Sequence, residues 1–260
     1  MSEDIYRAAV TAMVSAREKM NLPAARAFLD CAKTDRKSCE LLLEKGVYPH
    51  AVYHLQQSVE KTLKSYLFSI GAITMSELKT MGHSTPEGFV KLLQNPIFSP
   101  FFEQIEQTAA GKVENSPEKI TELRVSIQQN PSFAFISAEQ IKQFLGQKEK
   151  IEALMKTLDP MLNNPTIARE SAEQLRTKLG IAELKAPKPY EISRKRGFAL
   201  VPLFYLALIT FSHEQTTRYP IPDKIQPAQY VPELGLVSSM PVLLKELDEV
   251  LSSFTEMYNE

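Results

Sequence analysis

Apolar residues recur at helical spacing along Tyr48 to Gly71. With Val52 set at zero and about 100° advanced per residue, Leu55, Val59, Leu63, Tyr66 and Ile70 fall in one stripe. The opposite side collects His50, His54, Gln57, Lys61 and Lys64, with Gln56 and Glu60 at the border. The pattern predicts an amphipathic helix with one face on a core and a polar, mostly basic back.

The same period organises the flanks. Ile5, Ala8, Ala9, Ala12, Met13 and Ala16 predict a helix over Glu3 to Met20. After Leu22-Pro23, Ala25, Phe28, Leu29, Ala32, Cys39, Leu42 and Leu43 predict another that runs to about Lys45 and stops at Gly46. The short break that follows favours an antiparallel hairpin with the helix beginning at Tyr48. Ser84 or Thr85, with Pro86, can start a short helix containing Phe89, Leu92 and Leu93.

From Asn95 to about Lys195 many prolines divide the chain into shorter helical pieces, the clearest over Glu118 to Gln128, Ala138 to Leu162 and Ala168 to Leu179. Ala186 to Tyr190 reads as a linker. An apolar helix then follows Arg194-Lys195-Arg196-Gly197 up to about Thr217, and Arg218-Tyr219-Pro220 cannot continue it. The last helix is expected to be capped by Ser238 or Ser239, with Pro241 in its first turn and Val242, Leu243, Leu247, Val250, Leu251 and Phe254 as its stripe. The reading is all-α, in three parts: an N-terminal helix (1–22), a bundle built from 23–95 and 197–260, and a helical insertion (96–196).

Charge removes some partners. Thirty basic against thirty-one acidic residues leave a net charge of −1, so any anion site must be local. Phe198 to Phe211 is too short to span a bilayer and carries Pro202, so no membrane partner is expected. The N-terminus shows neither a signal peptide nor a transit composition, and the location expected is the cytoplasm. Cys31 and Cys39 would lie about 12 Å apart along one helix, too far to bridge, and read as two core thiols in a reducing compartment. The P-loop, the Rossmann glycine fingerprint, His-Glu-x-x-His, the nucleophile elbow and paired-cysteine metal spacing are all missing, so no cofactor or metal is expected.

Ser38-Cys39-Glu40-Leu41-Leu42-Leu43-Glu44-Lys45-Gly46, then Tyr48, Ala51, Gln56-Gln57, Glu60-Lys61, Leu63-Lys64 and Gly71, together with Gly82-His83 and Arg218-Tyr219-Pro220, resemble the HEPN domain in order and spacing. The resemblance covers about residues 24 to 95 and 197 to 258. It implies an up-and-down four-helix bundle, a dimer, and recognition of a nucleotide, an RNA or a protein partner. That partner could be a nucleotidyltransferase, and the setting a toxin–antitoxin or phage-defence system.

Ribonucleases of this family carry an Arg followed about four to six residues later by a His, to hold phosphate charge and move a proton. None of the four histidines here satisfies that spacing; the nearest upstream arginine is Arg36 for three of them and Arg196 for His213. His213 and Arg218, in reversed order, are the weak catalytic candidates, against an ordinary reading as a helix end and a residue bonding its last carbonyls.

The noncatalytic reading makes Lys61, Lys64, His83, Arg218 and Tyr219 candidates for a phosphate-bearing ligand. Against it, a helical lysine pair is usually solvated, Glu60–Lys64 is an ordinary helix ion pair, and His83 can simply fix its turn. Gln56, Gln57 and Glu60 read as structural or interfacial polar residues. In a third reading the chain is a structural or interaction protein, with Phe98, Phe101, Phe102, Phe133 and Phe135 as anchors on the insertion or as a small satellite core.

Overall fold

The structure, a computed structural model, describes residues 20–81, 88–89, 91–92, 135–143, 145–146, 189–213, 216–220 and 224–259. Outside them lie the expected helix over Glu3 to Met20 apart from Met20, the helices over Glu118 to Gln128 and Ala168 to Leu179, His83, and the phenylalanines from 98 to 133.

All regular structure among the described residues is helical. Helix α1 (Leu22–Glu44) starts where the side chain of Asn21 accepts the Ala24 N–H at 3.0 Å and Pro23 takes the first turn. It stops at Gly46, whose φ of 69° is left-handed; the Gly46 N–H then reaches the Leu43 carbonyl and the Val47 N–H reaches that of Leu42. Helix α2 (Tyr48–Ser69) ends in the same way, with Gly71 at φ 65° and the Ala72 N–H bonded to the Leu67 carbonyl. Both glycines act as the sequence leads one to expect.

Helix α3 (Met75–Met81) is an addition: Thr74 and Glu77 form a reciprocal capping box, with the Thr74 N–H to Glu77 Oε2 at 2.8 Å and the Glu77 N–H to Thr74 Oγ1 at 3.3 Å. Helix α4 (Pro189–Phe211) begins inside the expected linker and ends before Thr217. Pro189, with no N–H to satisfy, suits a first helical position, which is why a proline there starts the helix rather than delaying it. The four-residue α5 (Gly235–Ser238) leads into α6 (Met240–Asn259). Of the α6 stripe, Val242 is 52% exposed, whereas Leu244, Met257 and Tyr258 are buried.

Helices α1 and α2 pack side by side through small residues. Ala25 and Ala32 face Ser65 and Ser58, and these four, with Cys39 and Ala51, are all at zero exposure. The hydroxyls of Ser58 and Ser65 donate across the interface to the carbonyls of Ala32 and Ala25, each at 2.7 Å, so the two backbones come close without orphaning a buried hydroxyl. This antiparallel pairing is the hairpin the short turn implied.

Helix α6 closes on α1. Arg36 donates to both carboxylate oxygens of Asp248 at 2.6 Å, and Arg26 to the Tyr258 carbonyl. The Asp248 bond raises the pKa of Arg36 above its ordinary value. Helix α4 packs on α2 and α6, so that four long helices enclose one core, with Tyr66 stacked on Phe254 and Phe28 on Phe68. Residues 138–143 and 145–146 are helical where Ala138 to Leu162 was expected, and Ile136 and Ile141 join this same core. Cys39 is buried, with its thiol pushed up to about 12 by desolvation, but Cys31 is exposed rather than a core thiol.

Candidate functional site

Helix α2 is where the expected and observed chemistry differ most. Sixteen of its twenty-two residues are buried, because α1, α4 and α6 all pack against it. A basic back open to solvent therefore does not exist along its whole length. Lys64 is 6% exposed and donates to Glu60, itself 2% exposed. The other Glu60 oxygen accepts from the amides of Gln56 and Gln57, both at 3.2 Å, and Gln57 also donates to Gln56 at 2.7 Å. These four side chains hydrogen-bond to one another inside the bundle.

Lys61 lies nearer the surface and donates to Asp35 of α1. The second Asp35 oxygen meets His54 Nδ1 at 2.8 Å, so one nearly buried carboxylate ties together two turns of α2.

Next to His54, at the N-terminal end of α2, an aromatic and cationic surface begins. The Tyr53 and His54 rings stand edge to face, 5.2 Å apart. Arg218, from the chain leaving α4, places its guanidinium carbon 5.4 Å from the Tyr53 ring centre and 5.6 Å from that of Tyr219, within cation–π range. Tyr219 is 59% exposed and Arg218 is exposed, so a planar group can reach this surface from solvent. Tyr219, Arg218, Tyr53, His54, Asp35 and Lys61 thus form one continuous run of contacts.

A family model for the HEPN domain matches residues 25–158, more than half of the chain. The chain belongs to the HEPN family. No curated protein and no solved structure matched it. HEPN domains serve nucleotide- or RNA-related functions or act as binding modules, and often form dimers. The HEPN match takes in the α1–α2 hairpin and continues into the stretch read as an insertion. No described helix of this HEPN protein is long and apolar enough to cross a membrane.

Of the residues singled out in the sequence, Arg218, Tyr219 and Lys61 belong to the run, Lys64 joins the buried Glu60 network, and His83 lies outside the described residues. Tyr53 and Asp35 escaped notice. An aromatic set between His50 and His54 on an otherwise polar helix side was the available signal for Tyr53; nothing local marks Asp35.

His213 does not stand at the surface with Arg218. It has zero exposure, and its Nδ1 lies 2.8 Å from Tyr230 Oη. Burial pushes its pKa down to about 3 and pushes that of the Tyr230 phenol up, so both are neutral at pH 7. Because the folded-state value lies below the ordinary 6.5, the stability tied to a neutral ring is complete above pH 6.5 and is lost as pH falls towards 3. The loss runs at roughly 1.4 kcal/mol per pH unit in that window. Urea unfolding should show the protein about 2 kcal/mol less stable at pH 5 than at pH 7. His213→Asn, with no titrating ring, should remove most of that difference; an unchanged difference would place the titration elsewhere.

Proposed function

We propose that this HEPN domain is a noncatalytic binding module that takes a nucleotide or single-stranded RNA on the surface made by Tyr53, His54, Lys61, Arg218 and Tyr219. The observation that carries the reading is the guanidinium of Arg218 lying against two tyrosine rings at the surface. Every base offers a π face to an exposed tyrosine, and a guanidinium pairs with phosphate through two parallel hydrogen bonds. Catalysis fits poorly, since a buried His213 cannot meet a ribose hydroxyl and the Arg-to-His spacing is missing.

The test is fluorescence anisotropy with a labelled mixed-sequence single-stranded RNA, beside thermal shift with free nucleotides. The wild type should bind in a salt-dependent way, and Arg218→Ala and Tyr219→Leu should each weaken binding about tenfold. Absence of any binding, including at millimolar nucleotide, would overturn the reading. The labelled RNA should also be recovered intact without added metal; cleavage that disappears in His213→Ala would favour a ribonuclease with a non-standard site.

A further inference from the structure

The two exposed residues of the proposed surface follow directly on a buried cluster of hydrogen bonds. His213 Nδ1 and Thr216 Oγ1 both meet Tyr230 Oη, at 2.8 and 2.9 Å, and Thr217 bonds back to the His213 carbonyl through its hydroxyl at 3.0 Å. The His213 N–H closes on the Thr210 carbonyl at 3.1 Å, anchoring the cluster to the end of α4. His213, Thr216, Thr217 and Tyr230 are all buried, and Ile225 on the returning chain is in the core. Both legs of this connection are therefore pinned, and Arg218 and Tyr219 emerge at the next step of the chain.

The proton positions follow from the network. His213 Nε2 is buried and has no hydrogen-bond partner among the described residues. An orphaned buried N–H is rarer than an under-used acceptor, which assigns the ring proton to Nδ1. Nδ1–H then donates to Tyr230 Oη, and the Tyr230 hydroxyl donates to Thr216 Oγ1. The bonds run in one direction through a single tyrosine oxygen, so removing that oxygen releases both partners at once.

We propose that His213, Thr216 and Tyr230 are positioning residues: a buried knot that holds Arg218 against the rings of Tyr53 and Tyr219 in the arrangement a base and its phosphate need. This rests on the binding reading above, and it turns His213 from a candidate catalyst into a support for the recognition surface. The cost of ordering Arg218 and Tyr219 is met during folding, so binding does not have to supply it.

The test measures RNA binding and amide hydrogen exchange over residues 216–219 in the same variants. Tyr230→Phe should weaken binding of the labelled RNA about tenfold and speed exchange at 216–219. Thr216→Val, a milder cut into the same knot, serves if Tyr230→Phe does not fold. His213→Asn places an amide N–H where Nδ1–H stands and should stay within about twofold of wild type, whereas His213→Gln places its amide near the Nε2 position and should lose about tenfold. Leu29→Ala, destabilised in the core away from the knot, separates positioning from general instability and should bind as wild type does.

Equal behaviour of the Asn and Gln variants would overturn the knot, as would loss of binding in Leu29→Ala as large as in Tyr230→Phe. If the wild type binds no RNA, the surface reading falls by itself. Exchange then decides the knot alone: faster at 216–219 in Tyr230→Phe supports it, and unchanged exchange refutes it.

Discussion

Glu60→Ala is expected to destabilise the protein by about 3–5 kcal/mol, far more than removal of an ordinary ion pair between residues four apart on a helix. Such a pair on an exposed helix face contributes only about 0.3–0.5 kcal/mol, because water solvates either charge once the other is gone. Here neither group has that refuge, with Glu60 2% and Lys64 6% exposed. Removing the carboxylate takes a counter-charge from the buried Lys64 ammonium, and also deprives the Gln56 and Gln57 amides of their shared acceptor. The double replacement Glu60→Gln/Lys64→Met separates these effects, since Gln restores an acceptor oxygen and Met fills the lysine volume with no charge. It should cost about 1–2 kcal/mol, well below the single change. Urea midpoints at constant slope measure both. A Glu60→Ala cost below about 1 kcal/mol would mean that the Lys64 ammonium is compensated without Glu60, by water or by another group.

That contrast shows why the hairpin was legible and the chemistry of α2 was not. Val52, Leu55, Val59, Leu63 and Tyr66 declare a core face by spacing alone, and Gly46 and Gly71 declare the helix ends because their left-handed turns exclude side chains. Whether the other faces of a helix are also covered depends on elements far along the chain, and a window of a few turns contains no information about them. One overlooked signal was available: Ser58, Thr62, Ser65 and Ser69 line α2 at helical spacing, and all are buried. Small hydroxyl residues in such a row suit a close neighbour whose carbonyls accept their protons, as those of Ala32 and Ala25 do. For the candidate site, Arg218 and Tyr219 stood out as a polar stop after an apolar helix. Their relation to Tyr53, and that of His213 to Tyr230, arise from tertiary packing and leave no local pattern. Thr74 and Glu77, by contrast, are a local capping box, and their spacing could have revealed α3.

Gly235→Ala should cost about 3 kcal/mol, the upper part of the usual range for overpacking, although one methyl group is all it adds. A β-carbon at this position would lie 2.1 Å from the Ile136 carbonyl oxygen, 2.7 Å from the carbonyl carbon of Ser137 and 2.8 Å from the Ala138 nitrogen. All three atoms are backbone, so no rotamer change relieves the contact; residues 136–138 or the start of α5 must move. The segment is poorly placed to yield. Ser137 and Gln140 cap its helix reciprocally, with the Ser137 N–H to Gln140 Oε1 at 2.8 Å and the Gln140 N–H to Ser137 Oγ at 3.2 Å. Ile136 and Ile141, the latter 1% exposed, hold it in the bundle core. A shift of the backbone at Gly235 therefore disturbs the packing of both isoleucines. Gly146 provides the internal control: it is helical, and a β-carbon there meets nothing within 4 Å among the described residues. Gly146→Ala should stabilise by up to about 1 kcal/mol through helix propensity alone. Urea unfolding of the two variants should thus move in opposite directions, and if Gly235→Ala proves as benign as Gly146→Ala, residues 136–138 are not seated against α5.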